Sequence, residues 1–135
     1  MTLIAYRPEY RIYLDETDNH LTFERLEELT LVLDLPHYLS DMQRAVKQVQ
    51  SGFTMLCDLR RNLGSNLRLL PLFRSARQLL HEAGISILVE LHPAAPTMQQ
   101  LSRLLRKDSP IPVRQFTDPA EATAFLSHFR MRMAY

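Results

Sequence analysis

Hydrophobic and polar side chains alternate in two short stretches near the start of the chain, Tyr10 to Leu14 and His20 to Leu26. A period of two is that of a strand with one face buried. Asp15 to Asn19 between them carries turn chemistry, so the pair predicts an antiparallel hairpin. Residues 1–8 show no such period and read as a lead-in. After the acidic pair Glu27 and Glu28, Leu29 to Leu33 is apolar again. Residues 20–33 therefore read either as one bent strand or as two.

From Leu39 the period changes. Leu39, Met42, Val46 and Val49 recur at helical spacing, Pro36 suits a first turn with Asp34 as a cap, and Gly52 suits a left-handed end. Phe53 to Leu59 is an apolar run of strand length that ends in Asp58-Leu59, and it predicts the central buried strand. A second helix is marked by Leu69, Leu72, Phe73, Ala76, Leu79, Leu80 and Ala83, with Pro71 near its start and Gly84 closing it. Ile85 to Leu91 is a second apolar strand. Thr97 with Gln100 forms a capping box ahead of Leu101, Leu104 and Leu105. Ile111 to Phe116 reads as an edge strand, because Pro110 and Pro112 interrupt its hydrogen bonding. Asp118-Pro119 opens a last helix whose buried face is Ala122, Phe125, Leu126 and Phe129.

Strands and helices that alternate at these lengths imply an α/β fold: an N-terminal antiparallel hairpin, mainly parallel core strands and about four helices. Residues 1–135 form one domain in this reading, with its core at about 10–129. At 46% hydrophobic and 23% charged residues the composition is that of a soluble globular protein, and 135 residues suffice for a core without staples. The net charge of +1 steers the chain toward neither nucleic acid nor membrane, and no apolar run is long enough to span a bilayer. The start of the chain has no signal-peptide pattern. The single cysteine, Cys57, lies in the central strand and is expected to be a buried small hydrophobe, which fits a cytoplasmic home.

With these elements in order, one further motif is visible: Phe-x-Asp-x-x-Glu-Ala-x-x-Phe-Leu at Phe116, Asp118, Glu121, Ala122, Phe125 and Leu126. Together with the opening hairpin, the strand ending in Asp58-Leu59, the helix ending at Gly84 and the strand Ile85 to Leu91, it resembles the STAS-like, SpoIIAA-like superfamily of small bacterial α/β domains. The resemblance implies a non-enzymatic regulatory module that binds a partner protein or a small ligand. Anti-sigma-factor antagonists of that superfamily carry an Asp-Ser-Ser-Gly-like segment after the central strand, with a phosphorylated serine. Here the region reads Leu63-Gly64-Ser65-Asn66, so Ser65 is a phosphorylation candidate without the flanking aspartate and glycine.

Candidate chemistry gathers where the core strands end, since ligands of open α/β sheets favour the crevice beyond the carboxyl ends. One end supplies Asp58, Arg60, Arg61 and Asn62, the other Glu90 and His92. These residues suit an anion site, or an acid/base pair of Asp58 with His92; equally, Asp58 serves as a loop cap and the arginines as solvated charges. Arg74, Arg77 and His81 fall on one helical stripe in a region with no acidic residue from Leu59 to His81, and read as a solvated face or a patch for an acidic partner. The five histidines lack metal-ligand spacing, and with three glycines in all no phosphate-cradling loop is present, so neither metal nor cofactor is expected. The expected partners are a protein or a second copy of the chain, held by a helix face or the hairpin edge, or else a small apolar or anionic ligand.

Overall fold

The computed structural model describes residues 1–26, 35–61, 69–93 and 111–133. Six strands form one sheet in sequential order: β1 (Thr2–Tyr6), β2 (Tyr10–Asp15), β3 (His20–Arg25), β4 (Thr54–Asp58), β5 (Ile87–Leu91) and β6 (Val113–Phe116). The pairs β1–β2 and β2–β3 are antiparallel, and β3–β4, β4–β5 and β5–β6 are parallel. Three helices lie among the described residues: α1 (Tyr38–Val46), α2 (Leu70–Glu82) and α3 (Pro119–Met133). The helix expected from Thr97, which would bring the number to about four, and the strand expected at Leu29 to Leu33 lie outside the described residues.

The parallel register sets the two faces of the sheet. Phe23, Cys57, Glu90 and Gln115 align across four strands and share a face; Glu24, Asp58, Leu91 and Phe116 align on the other. Helices α1 and α2 cover the first face. There Ile12, Leu21, Phe23, Met55 and Leu88 pack against Tyr38, Met42, Ala45, Ala76 and Leu80. The Tyr38 ring meets Tyr10, Phe23 and Phe73 edge-on at 5.4–5.8 Å between centroids, the favoured aromatic geometry. Helix α3 lies on the second face, where Ala122 and Leu126 pack on Ile87, Val89 and Leu91. Strand β5 is thus buried throughout, as its apolar sequence predicts. No helix among the described residues is long and apolar enough to cross a membrane.

The hairpin Tyr10–Arg25, the edge position of β6 and the cap of α3 agree with the sequence reading; Asp118 Oδ1 accepts the Ala120 amide at 2.9 Å. Three expectations are corrected. Residues 1–8 contain a strand, β1, hidden because its register shifts between Leu3 and Ala5 and places Ile4 and Ala5 consecutively in the core, which breaks the period of two. Helix α1 ends at Val46 rather than at Gly52, and the positive φ of Gly52 instead serves the turn into β4. Cys57 is only partly buried, because β4 emerges from the core over its second half; burial still pushes its thiol up to about 12.

Gly84 carries out the helix-closing role its position predicts, at φ +86°. Its carbonyl accepts the Gly52 amide at 2.7 Å, tying the turns into β4 and β5 together. A Cβ at Gly84 would lie 2.3 Å from Ser51 Oγ, whereas one at Gly52, φ +91°, meets nothing within 4 Å. Gly52→Ala should therefore cost about 1 kcal/mol from its backbone alone, and Gly84→Ala about 2 kcal/mol or more. Urea denaturation of the two variants side by side checks the ranking.

Candidate functional site at the carboxyl ends of the parallel strands

The ends of β3 and β4 frame an open cleft of about 350 Å³ lined by Glu24, Arg25, Asp58, Arg60 and Arg61. Asp58 and Arg60 are bound to each other in a fork: Arg60 Nε donates to Oδ1 at 3.0 Å and Nη2 to Oδ2 at 2.8 Å, and the Arg60 amide adds a bond to Oδ1 at 3.2 Å. Burial works to raise the Asp58 carboxyl, and the Arg60 bonds outweigh it, so the group is held below its ordinary range. Glu24 is likewise engaged, by the Arg11 guanidinium and by the Tyr13 hydroxyl at 2.8 Å. Both carboxylates are thus compensated by cations of their own.

The two remaining arginines are not matched by carboxylates in this way. Arg61 Nη1 donates to the Leu26 carbonyl at 3.2 Å. Arg25 is 4% exposed, and its guanidinium donates no hydrogen bond among the described residues; Nε is fully enclosed with no partner. Desolvation lowers its pKa to about 10, with Tyr38 and Glu9 acting against it among the described residues, so it stays charged at neutral pH. Arg25 was not among the residues singled out from the sequence. Its signal was there: Leu21, Phe23 and Arg25 share one parity of the alternation, which places a cation at a core position.

His92 belongs to a different environment. Asp58 is in register with Leu91, so His92, one residue further on, leaves the opposite face of the sheet. There Arg77 Nη2 donates to Glu90 Oε2 at 2.8 Å, and Gln115 Nε2 donates to Glu90 Oε1 at 3.2 Å. His92 Nε2 lies 3.5 Å from Glu90 Oε1 and 3.4 Å from Gln115 Nε2. Glu90, His92 and Arg77 are all buried. The stripe of Arg74, Arg77 and His81 is corrected accordingly. Arg74 and His81 are exposed on α2, but Arg77 turns inward, because Glu90 on the facing strand supplies a countercharge. Asn62 and Ser65 lie outside the described residues.

A second buried carboxylate, Asp41, ties α1 to the turn between β1 and β2. It accepts Arg7 Nε and Nη2 at 3.0 Å each, the Tyr10 hydroxyl at 2.6 Å, and Arg44 Nη2. The sequence reading passed over it because an aspartate between Leu39 and Met42 looks like the polar side of an amphipathic helix. Among the described residues no group of three His, Cys, Asp or Glu side chains could hold a metal ion. Comparison with protein-family models, with curated proteins and with solved structures finds no match in any of the three.

Proposed function

We propose that this protein is a non-enzymatic interaction module, of the STAS-like kind its sequence resembles, and that it pairs with a second copy of itself through edge strand β1. The observation that carries this reading is the chemistry of that edge. Thr2 to Tyr6 contains no charged residue and no proline, and it leaves Leu3 58% and Tyr6 65% exposed. Natural sheets protect an open edge with lysine, proline or a covering segment, because unpaired N–H and C=O groups recruit other strands. Antiparallel pairing of β1 with its two-fold mate joins those groups into one continuous sheet, with no like charges opposed within the strand pair. A cytoplasmic setting suits a module with a single unbridged thiol. Asp58 is bonded to Arg60 and His92 lies beside Glu90 and Gln115, which favours binding over acid/base chemistry, since a catalytic pair needs hydrogen-bond reach, directly or through one water.

The expected result is a two-fold mass by light scattering after size exclusion, with a dissociation constant on the order of 10 μM. Leu3→Lys and Tyr6→Lys, each adding a charge to both copies of the uncharged edge, should return the monomer without loss of helicity. Amides of residues 2–6 should exchange more slowly in the wild-type dimer than in either variant. A wild-type chain that stays monomeric at roughly 1 mM, a hundred times that constant, would overturn the reading.

A further inference from the structure

We infer that the cleft at the ends of β3 and β4 is a binding site for a doubly charged oxyanion, a phosphate group, with Arg25 as its buried anchor and Arg61 as its outer cation. Of the five described residues that line it, three are arginines and two are carboxylates. Asp58 is committed to Arg60, and Glu24 to Arg11 and Tyr13. Arg25 and Arg61 remain as two positive charges with no carboxylate bonded to either among the described residues, where Arg61 donates to the Leu26 carbonyl.

Burying a guanidinium without a hydrogen-bond partner is costly, and proteins avoid it unless something else satisfies the group. Arg25 donates no hydrogen bond to any described residue; its Nε is enclosed, which leaves the terminal Nη1 and Nη2 to meet an anion in the cleft. Among the described residues Glu9 is the one acidic group whose field reaches it, and Glu9 does not bond to it. A planar fork of N–H donors donates to two oxygens of one anion at once, which a single carbonyl cannot supply. Two uncompensated cations match a charge near −2 and so favour phosphate over a carboxylate. The cleft is open and has room for an ester substituent beyond the phosphate itself. The site is on the strand ends, away from edge strand β1, so binding does not depend on self-association.

The test titrates the ¹⁵N-labelled protein at pH 7.5 with inorganic phosphate, glycerol phosphate and acetate, each against sodium chloride at matched ionic strength. In the wild type, phosphate should shift the Arg25 Nε–Hε resonance and raise Tm, with a dissociation constant on the order of 1 mM. Acetate should bind at least about tenfold more weakly. Glycerol phosphate binding at least as well as phosphate identifies a phosphate ester as the source of the group; weaker binding identifies the free ion. Arg25→Met should raise Tm in chloride, because a buried unpaired charge is gone, and abolish the response to phosphate. Arg61→Gln, at an exposed position, should leave Tm in chloride unchanged and weaken phosphate about tenfold.

The inference fails if phosphate acts no more strongly than chloride, or if acetate equals phosphate. It also fails if Arg25→Met lowers Tm in chloride while Arg61→Gln keeps the wild-type response.

Discussion

Glu90→Ala should lose about 3–5 kcal/mol of unfolding free energy in urea at pH 7, the largest effect expected of any single substitution here. Arg77 and Glu90 have side chains only 8% and 4% exposed, and the bond between them is 2.8 Å. Removing the carboxylate strands a guanidinium that already has one enclosed nitrogen, Nη1, without a partner among the described residues. Gln115 and His92 lose their shared acceptor at the same time. The loss reflects an uncompensated charge rather than a strong net bond, and a double variant separates the two. Arg77→Met with Glu90→Leu should recover more than half of the deficit, because well-packed apolar residues often replace a buried ion pair at little cost. Recovery of none of it would locate the deficit in the lost Gln115 and His92 contacts instead.

Asp41→Ala should cost about 3 kcal/mol, somewhat less than Glu90→Ala. Asp41 is almost wholly enclosed, but two of its three partners, Arg7 and Arg44, reach solvent and can rehydrate once it is gone. The Tyr10 hydroxyl cannot, since Tyr10 lies in the core; its pKa is raised by burial and by the bond to Asp41. Burial alone would raise the Asp41 carboxyl, and the bonds from Arg7, Tyr10 and Arg44 outweigh that and bring it to about 2. The folded pKa is below the unfolded value of 3.8, so the native state binds this proton more weakly than the unfolded chain does. The stability it contributes is complete above about pH 4 and is lost as pH falls toward 2. Asp41→Asn, which cannot titrate, should be less stable than wild type at pH 7. The gap in Tm between the two should narrow across that acid window. A gap that stays constant from pH 7 to pH 2 would show that the carboxylate's charge contributes nothing.

Much of this fold was legible from side-chain periodicity. The hairpin of β2 and β3, the strands β4 and β5, the edge strand β6 and the three described helices each have a local signal that the packed chain keeps: alternation, an apolar run, a proline in a first turn, a glycine after a last one. Strand β1 was not legible, because a bulge shifts its register and two consecutive residues enter the core. The end of α1 was not legible either, since the glycine that looked like its stop serves the next turn.

The candidate site was half legible. Asp58, Arg60 and Arg61 were placed together by chain position, and the cleft does hold all three. His92 looked equally close to Asp58 in the sequence, being near the end of the neighbouring strand, but one residue of offset in a parallel register puts its side chain through the sheet. Arg77 looked like part of an exposed stripe with Arg74 because helical spacing groups them.

Apart from β1 and the end of α1, the sequence alone determined the described elements and the parity of each strand, since backbone geometry and local side-chain order decide those within a few residues. Only the tertiary structure decided which charges go inside. Whether Arg77 faces solvent or core depends on Glu90, thirteen positions away on another element, and Asp41 is enclosed by partners over thirty positions back in the chain. A charge is buried where a countercharge arrives from elsewhere, and no local pattern encodes that meeting. Arg25 is the exception: the alternation sent it inward, and among the described residues no carboxylate bonds to it.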